Sequence, residues 1–184
     1  MPFSARGLSP KAPIGIKTLG IFAEHQPIYA SYNIPTFPVR ITADQKKPAT
    51  VGYRKLGIPS SQQLALKFPD LDAFAFMAGK RAKITVLDID SPDENLLRDM
   101  MKRHGQTPII VRSGSGNFHA WYRFNGEARA VRPDPSIPVD LLGGGVVIAP
   151  PSKGMRRSRP IVISLAVQVL GAPGWRFGLR ECSE

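Results

Sequence analysis

The stretch Val86-Leu87-Asp88-Ile89-Asp90 joins an apolar run to two carboxylates separated by one residue. Because successive side chains of a β-strand point to opposite faces, Asp88 and Asp90 are predicted to share a face, while Leu87 and Ile89 point into a core. Neighbouring acids repel unless a positive charge lies between them, and hard cations such as Mg²⁺ take carboxylate oxygens together with substrate phosphates. The pattern therefore predicts a buried strand that ends at a metal site. The alternative is a solvated strand end whose acids cap the next helix.

The composition is that of a globular protein with an unusual charge. The 184 residues are enough for one domain with a sizeable core, and the formal net charge of +11 suggests a polyanionic partner such as nucleic acid or a membrane surface. The alternative is a generally cationic soluble protein. A single cysteine, Cys182, excludes an internal disulfide and a cysteine-based zinc site. The longest apolar stretch, residues 161–170, is too short to span a bilayer and no signal-peptide pattern opens the chain, so we expect a cytoplasmic protein without a membrane partner.

Turn and cap residues divide the chain into alternating strands and helices. Ser91 is the predicted N-cap of the helix after the acidic strand, with Pro92 at its first position and Glu94 completing a capping box. Ser60 and Ser61 are candidate N-caps of an earlier helix that ends at residue 67. We predict strands at residues 34–41, 72–77, 83–90, 109–111 and 118–124, with two extended pieces within 139–149. This order indicates an α+β or α/β fold with helices against one face of a sheet.

A turn rich in glycine and serine precedes a histidine on the predicted strand at residues 118–124. Glycines let backbone N–H groups approach a phosphate, and successive exposed N–H groups form an anion-binding nest. Strand alternation places His119, Trp121 and Arg123 on one face, and the opposite face, with Phe118, is expected to pack into the core. A histidine beside an arginine suits a triphosphate. The alternatives are a histidine satisfied within the fold and an ordinary hairpin.

A third acid, Asp140, lies among apolar residues. An unpaired carboxylate is costly to bury, so Asp140 needs a metal, a basic group or backbone donors. Together with Asp88 and Asp90 it can hold two metal ions about 3.5–4 Å apart for in-line phosphoryl transfer. The alternative is a turn aspartate that is hydrogen-bonded to the glycines that follow it.

Taken in chain order, these segments resemble the N-terminal domain of bifunctional DNA primase/polymerases (prim-pol), in the archaeo-eukaryotic primase superfamily. The resemblance covers roughly residues 25–155 and rests on an ordered set of short motifs. These are Thr36-Phe37-Pro38-Val39, Lys46-Lys47-Pro48, Asp88-Ile89-Asp90, Thr107-Pro108-Ile109-Ile110-Val111, Ser113-Gly114-Ser115-Gly116-Asn117-Phe118-His119, and the segment from Asp140 to Pro150-Pro151-Ser152.

The resemblance implies a prim-pol fold, in which an antiparallel or mixed sheet like that of the RNA-recognition motif carries an added N-terminal α/β unit. We expect this domain at residues 18–160, after a flexible lead-in at 1–17 and before a divergent tail at 161–184. The tail begins with Ile161-Val162-Ile163-Ser164-Leu165, which is a divergent last strand, the end of a truncated domain, or sequence from another reading frame.

The resemblance also implies roles for single residues. Asp88, Asp90 and Asp140 match the acids that bind catalytic Mg²⁺ or Mn²⁺. Residues of the glycine turn and its histidine match the motif that contacts the triphosphate of an incoming NTP or dNTP. Lys46 and Lys47 match a family position where lysine faces nucleotide or template, and Lys47 is the nucleotide-binding candidate; the alternative for both lysines is a solvated loop. The nucleotide-binding residues of the turn motif are Ser113, Ser115, Gly116 and His119.

Basic residues outside these motifs are candidates for DNA contacts, although charge runs are usually solvated faces. They are Lys80, Arg81, Arg123, Arg156 and Arg157. Trp121 has two interpretations, base stacking and packing. Enzymes of this family join nucleotides on a single-stranded DNA template, making and extending primers in plasmid, phage or chromosomal replication. The expected partners are therefore a single-stranded template, nucleotides and, as a further candidate, a replicative helicase.

Three functional hypotheses remain open at the level of sequence. The first is a template-dependent nucleotidyltransferase, which the three acids favour. The second is a catalytically inactive or truncated prim-pol-like DNA-binding protein, which the divergent tail favours. The third is a metal-dependent nuclease, although the glycine turn with His119 fits a triphosphate better.

Overall fold

The computed structural model describes residues 19–43 and 45–153, and the backbone of residues 162–164. Within these residues three α-helices accompany two antiparallel sheets, which confirms the predicted α+β class. The helices are α1 (Ile21–Ser31), α2 (Ile58–Lys67) and α3 (Glu94–His104), with a 3₁₀ turn at Tyr53–Lys55. The strands are β1 (Thr36–Ile41), β2 (Lys46–Pro48), β3 (Phe74–Ala78), β4 (Ile84–Ile89), β5 (Ile109–Arg112), β6 (Phe118–Arg123), β7 (Arg129–Ala130), β8 (Val139–Leu142), β9 (Gly145–Ile148) and β10 (Val162–Ser164).

Several predictions from sequence concern residues outside this description. The lead-in at residues 1–17, Arg156 and Arg157 lie there, as does most of the tail at 161–184. None of the described helices is long and apolar enough to cross a membrane.

The strands form a four-stranded sheet in the order β2-β1-β3-β9 and a six-stranded sheet in the order β10-β5-β6-β4-β8-β7. The chain passes between the sheets at the β3–β4 turn and again at the β8–β9 turn. Gly79 and Gly143 bring these two turns into contact, since a Cβ built on Gly79 would lie 2.1 Å from the carbonyl oxygen of Gly143. No side chain fits at Gly79, so the close approach of the sheets depends on a glycine there.

The six-stranded sheet is buried on both faces. On one face Leu87 and Phe118 pack with Leu97 and Met100 of α3. On the other face Trp121 is 5% exposed and meets Phe76 of the smaller sheet edge-on, with ring centroids 5.0 Å apart. The face that carries His119 is therefore also a core face, and of the two interpretations of Trp121 the structure supports packing.

Both predicted helix starts were wrong, by two residues for α3 and by three or four for α2. Helix α3 begins at Glu94, and its N-cap is Asp93, whose side chain accepts a hydrogen bond from the Asn95 N–H at 2.8 Å. Ser91 instead accepts from the Asp93 N–H at 3.1 Å, so it orders the approach to the helix. Helix α2 begins at Ile58, and Ser61 is buried within it.

The hydroxyl of Ser61 joins three elements. It accepts hydrogen bonds from the Gln26 amide of α1 at 3.1 Å and from the Thr36 N–H of β1 at 3.0 Å. A buried amide or N–H that loses its partner is costly, which gives Ser61 a structural role that a capping pattern does not predict.

The segment after β9 closes the smaller sheet onto α1. The Tyr29 hydroxyl donates to the Pro150 carbonyl oxygen at 2.7 Å, and burial raises the pKa of this phenol above its usual value. Ser152 is fully buried, and its hydroxyl bonds both the N–H and the carbonyl of Phe74, at 2.9 and 3.1 Å. Lys153 forms an ion pair with Asp72 beside them. The Pro150-Pro151-Ser152 segment therefore stabilises the smaller sheet, which forms one side of the site.

Candidate active site between the two sheets

Asp88 lies between His119 and Asp140 in the middle of the six-stranded sheet. Strand β4 pairs with β6 and β8, and in both registers the residue opposite Asp88 is one of these two. Directly opposed residues place their side chains on the same face, with Cβ atoms about 4.5–5.5 Å apart. Three neighbouring strands thus contribute one row of side chains, His119–Asp88–Asp140, which we call the acid–histidine row.

The Asp88 carboxylate is engaged by the histidine of this row. His119 Nε2 lies 3.2 Å from Asp88 Oδ1, and the two side chains are 14% and 26% exposed. A carboxylate only accepts, so Nε2 carries the hydrogen in this contact. His119 Nδ1 is buried and has no hydrogen-bond partner among the described residues. The contact fixes the imidazole with Nε2 toward the acids.

Asp90 follows the end of β4 and is exposed. Its backbone N–H donates to the Pro138 carbonyl oxygen at 2.8 Å, and its carboxylate accepts from the Asn117 amide at 3.3 Å. Asn117 belongs to the glycine turn before β6, so this bond links the second acid to the predicted phosphate-binding turn.

Asp140 is held by a backbone group. Its Oδ1 accepts the N–H of Arg132 at 2.9 Å, and Arg132 has a φ of +42°, which is uncommon for a residue other than glycine. The donor thus precedes Asp140 in the chain and is not one of the glycines that follow it.

The three acids offer an all-oxygen donor set, which suits Mg²⁺ or Mn²⁺ together with phosphate oxygens. Among the described residues, no three His, Cys, Asp or Glu side chains converge closely enough to form a metal site by themselves. Asp88, Asp90 and Asp140 are each bonded to a protein donor instead, as described above.

The predicted turn is present and is stabilised internally. The Ser113 N–H donates to the Asn117 carbonyl at 2.8 Å, the Gly116 N–H donates to the Ser113 carbonyl at 2.9 Å, and Gly116 has a φ of +94°. The hydroxyls of Ser113 and Ser115 lie 2.8 Å apart. With two N–H groups used inside the turn, those of Gly114 and Ser115 are the candidates for a phosphate.

A cleft of about 270 Å³ opens over Asp88 and His119 of the acid–histidine row, whereas Asp90 and Asp140 do not line it. Its polar lining consists of Asp88, His119, Ser113 and Lys46. Its apolar lining consists of Val39, Pro48, Leu142, Val146, Val147 and Ile148. The cleft therefore has one part suited to phosphates and another suited to a base or sugar.

The lysine in the cleft is Lys46, whereas the nucleotide-binding candidate from the sequence is its neighbour Lys47. Both lysines of β2 are exposed, but Lys46 and Pro48 line the cleft and the intervening Lys47 does not. Alternation along β2 explains the division, because residues two apart share a face. The alternation can be seen in the sequence, but the sequence does not indicate which of the two faces of β2 borders the cleft.

Of the basic residues predicted to contact DNA, the three that the structure describes do not line the cleft. Lys80 and Arg81 are in the β3–β4 turn, and the Arg81 guanidinium donates to the Leu56 carbonyl at 3.1 Å. Arg123 is opposite Ile84, four residues from Asp88 along β4, or about 13 Å at the usual strand rise. The structure does not bring these residues together with the cleft, and their role in DNA binding stays a prediction.

The chain is similar to a known family of proteins. A family model described as the N-terminal domain of bifunctional DNA primase/polymerases matches residues 27–175. No curated protein matches the chain. The matched residues include all ten strands and therefore every residue that lines the cleft.

Proposed function

The chain belongs to the family of bifunctional DNA primase/polymerase N-terminal domains, and from this premise we propose that it is a template-dependent nucleotidyltransferase that makes and extends primers on single-stranded DNA. The observation that carries the proposal is that Asp88 and His119 line a cleft together with Ser113 and Lys46, while Asp140 lies beside Asp88 on the next strand. A carboxylate and phosphate-binding groups then border one space suited to a nucleotide. NTPs or dNTPs are the proposed substrates.

The polar part of the cleft is the proposed triphosphate site. Lys46 supplies a positive charge, the turn supplies the N–H groups of Gly114 and Ser115, and His119 supplies its Nε2–H. To donate to a phosphate oxygen, His119 exchanges its contact with Asp88 for one with the nucleotide. The apolar part, which includes Pro48, then receives the sugar or base.

Asp88, Asp90 and Asp140 are the proposed ligands for Mg²⁺ or Mn²⁺. When bound, such ions neutralise phosphate charge and lower the barrier to in-line displacement at phosphorus. The chain's own residues orient these ligands: the Arg132 N–H holds Asp140, and Asn117 holds Asp90. A carboxylate released by His119 completes the oxygen donor set.

The test is primer synthesis by the purified protein. We would incubate it with single-stranded DNA, labelled nucleotides and Mn²⁺ or Mg²⁺, and compare the D88N/D90N variant, which keeps side-chain volume and removes two charges. The matched control is D99N, which removes an exposed carboxylate on α3. Products from wild type and D99N are expected, with at least 10³-fold less from D88N/D90N, the range that lost charge stabilisation costs at a reacting centre.

A second candidate function is a catalytically inactive DNA-binding protein of the same fold. It is favoured by one observation, that no three potential metal ligands converge within the described residues. Wild-type protein that binds single-stranded DNA and yields no product with either metal would support this alternative and contradict the nucleotidyltransferase. Shortening of labelled DNA in the same reactions would instead indicate a nuclease.

A further inference from the structure

The hairpin that carries Lys46 into the cleft bears a second basic feature on its other face. Arg40 of β1 and Lys47 of β2 are direct partners in the antiparallel register, and both are exposed. Their side chains thus share a face, with Cβ atoms about 4.5–5.5 Å apart. We call Arg40 and Lys47 the outer cation pair.

The outer cation pair has no acidic counterpart in the part of the chain that the structure describes. The three ion pairs found there involve Arg112, His119 and Lys153, and the hydrogen bonds there likewise include none from either side chain of the pair. Like charges directly opposite each other destabilise a sheet. The fold therefore places two positive charges next to each other, and no described carboxylate neutralises them. A binding site for an external anion has this arrangement.

The pair also has a defined position relative to the cleft. Lys46 and Pro48, the two neighbours of Lys47 on β2, line the cleft. An anion held by the outer cation pair is then separated from the cleft by the thickness of one strand. A polymeric anion at this place runs along the hairpin at the rim of the candidate active site.

We propose that the outer cation pair binds the phosphodiester backbone of single-stranded DNA beside the cleft, while Lys46 serves the triphosphate inside it. This inference rests on the proposed function for the identity of the polyanion. The net charge of +11 agrees with such a partner. Alternation along one three-residue strand thereby assigns adjacent lysines to two different ligands.

Protection of a sheet edge is the competing explanation for these charges. Strand β2 is an edge strand, and Lys and Pro on an edge hinder pairing with another sheet. That role accounts for Lys46-Lys47-Pro48. It does not account for Arg40, because β1 lies inside the sheet between β2 and β3. An exposed arginine on the inner strand, aligned with Lys47, favours recognition of an anion.

The experiment measures binding of a labelled oligo(dT) to wild type, R40A/K47A and K46A as a function of salt. For single-stranded DNA the logarithm of affinity falls with the logarithm of salt by about 0.7 for each phosphate contact, so the slope should decrease by about 1.4 in R40A/K47A. At 0.1 M salt this corresponds to roughly fivefold weaker binding per lost contact, or about 25-fold for the pair. Nucleotide binding should stay unchanged in R40A/K47A and weaken in K46A.

The matched control is K102A/R103A, which removes two exposed positive charges in the last turn of α3. An unchanged slope in R40A/K47A, an equal loss in the control, or no measurable binding by wild type would each overturn the inference. A raised aggregation tendency in R40A/K47A with unaltered DNA binding would support edge protection and also overturn it. The binding assay does not depend on primer synthesis. If R40A/K47A binds DNA more weakly and the wild-type protein makes no primers, the result contradicts the proposed function and leaves the inference about the outer cation pair standing.

Discussion

At the scale of single residues, Asp140 is oriented by a backbone N–H whose own residue has an uncommon conformation. Arg132 reaches a φ of +42° and donates to Asp140 Oδ1. Such backbone strain is retained where the surrounding structure requires it, and it clusters at functional sites. The Arg132 N–H is therefore a positioning group for the third acid.

Two substitutions at Arg132 separate the N–H from the side chain. R132G keeps the donor and accepts a positive φ, so we expect metal-dependent synthesis close to wild type. R132P removes the donor and also forces φ to about −65°, so Asp140 loses its backbone partner together with the local conformation; loss of a group that orients a proposed metal ligand typically costs 10–100-fold. The readout is the Mn²⁺ concentration that gives half-maximal synthesis, which should rise in R132P.

The same experiment needs a control for folding, because proline also restricts the chain. Proline cannot adopt a φ of +42°, so urea unfolding should show a lower free energy of unfolding for R132P than for R132A, which keeps the N–H. R132A should keep a metal requirement close to that of R132G if the side chain is dispensable. A low metal requirement in well-folded R132P would show that Asp140 does not need this bond.

Prediction from sequence succeeded for residues whose position follows from strand alternation. Asp88 and the apolar Leu87 were placed on opposite faces, and His119 was placed on a strand after a tight turn. The cleft position of Lys46 was missed because it depends on how β2 aligns with β1 and on where the other sheet lies. Local pattern does not contain that information.

At the scale of elements, the N-terminus of α3 depends on Asp93. The Asp93 carboxylate satisfies the Asn95 N–H and places a negative charge at the positive end of the helix. We expect D93A to lower the free energy of unfolding by about 1 kcal/mol, within the usual range of 0.5–2 kcal/mol for a lost cap. Urea denaturation followed by circular dichroism measures the change.

S91A is the matched variant for this cap. Ser91 accepts a hydrogen bond from the Asp93 N–H, before the first helical residue, so S91A should lower the free energy of unfolding by less than D93A does. Equal losses in S91A and D93A would indicate that the two residues act as one capping unit. A larger loss in S91A would restore the capping assignment made from sequence.

The cap was misplaced because Ser91, with Pro92 and Glu94, satisfies the sequence pattern of a capping box two residues too early. The structure leaves Pro92 outside the helix and uses an aspartate that the pattern also permits. Element type and order are set by periodicity over many residues, whereas a boundary depends on the conformation of one residue. No strand was predicted at residues 46–48 for a similar reason, because β2 is a strand only through its pairing with β1.

At the scale of the whole molecule, the Asp72–Lys153 pair ties the start of β3 to the segment after β9. The hydrogen bond from Lys153 holds the pKa of Asp72 below its usual value; partial burial acts to raise it, and the Ile21 N–H acts to lower it further. A carboxyl whose pKa is lower in the folded state contributes stability above its unfolded pKa. That contribution is lost as the pH falls through the folded value.

A double-mutant cycle with D72N and K153M tests this linkage. The coupling free energy should be under about 1 kcal/mol at pH 7, because both side chains are about half exposed. It should vanish as the pH is lowered below the usual aspartate value of about 3.9, as Asp72 becomes protonated. Urea unfolding of the four proteins across this range gives the coupling, and a coupling that persists at low pH would contradict an ionic origin.

The overall class was predictable, and the division into two sheets was not. Apolar stretches, turns and caps indicated an α+β fold, and the family resemblance supplied the order of motifs. The two-sided burial of β6, with Trp121 against Phe76, arises only when the second sheet folds over the first. A single strand's pattern cannot report a partner that comes from 45 residues away in the chain.

The contacts that the Pro150-Pro151-Ser152 segment makes with the smaller sheet have a consequence for folding during synthesis on the ribosome. The inner strand β3 receives its partner β9 only after residue 148 has been translated, and Phe74 receives the hydroxyl of Ser152 later still. A nascent chain that has reached α3 holds the β1–β2 hairpin, Asp88 and Asp90 but lacks the lining residues of the cleft that lie between Ser113 and Ile148. The cleft is thus completed only after the segment from β9 to Ser152 has been translated.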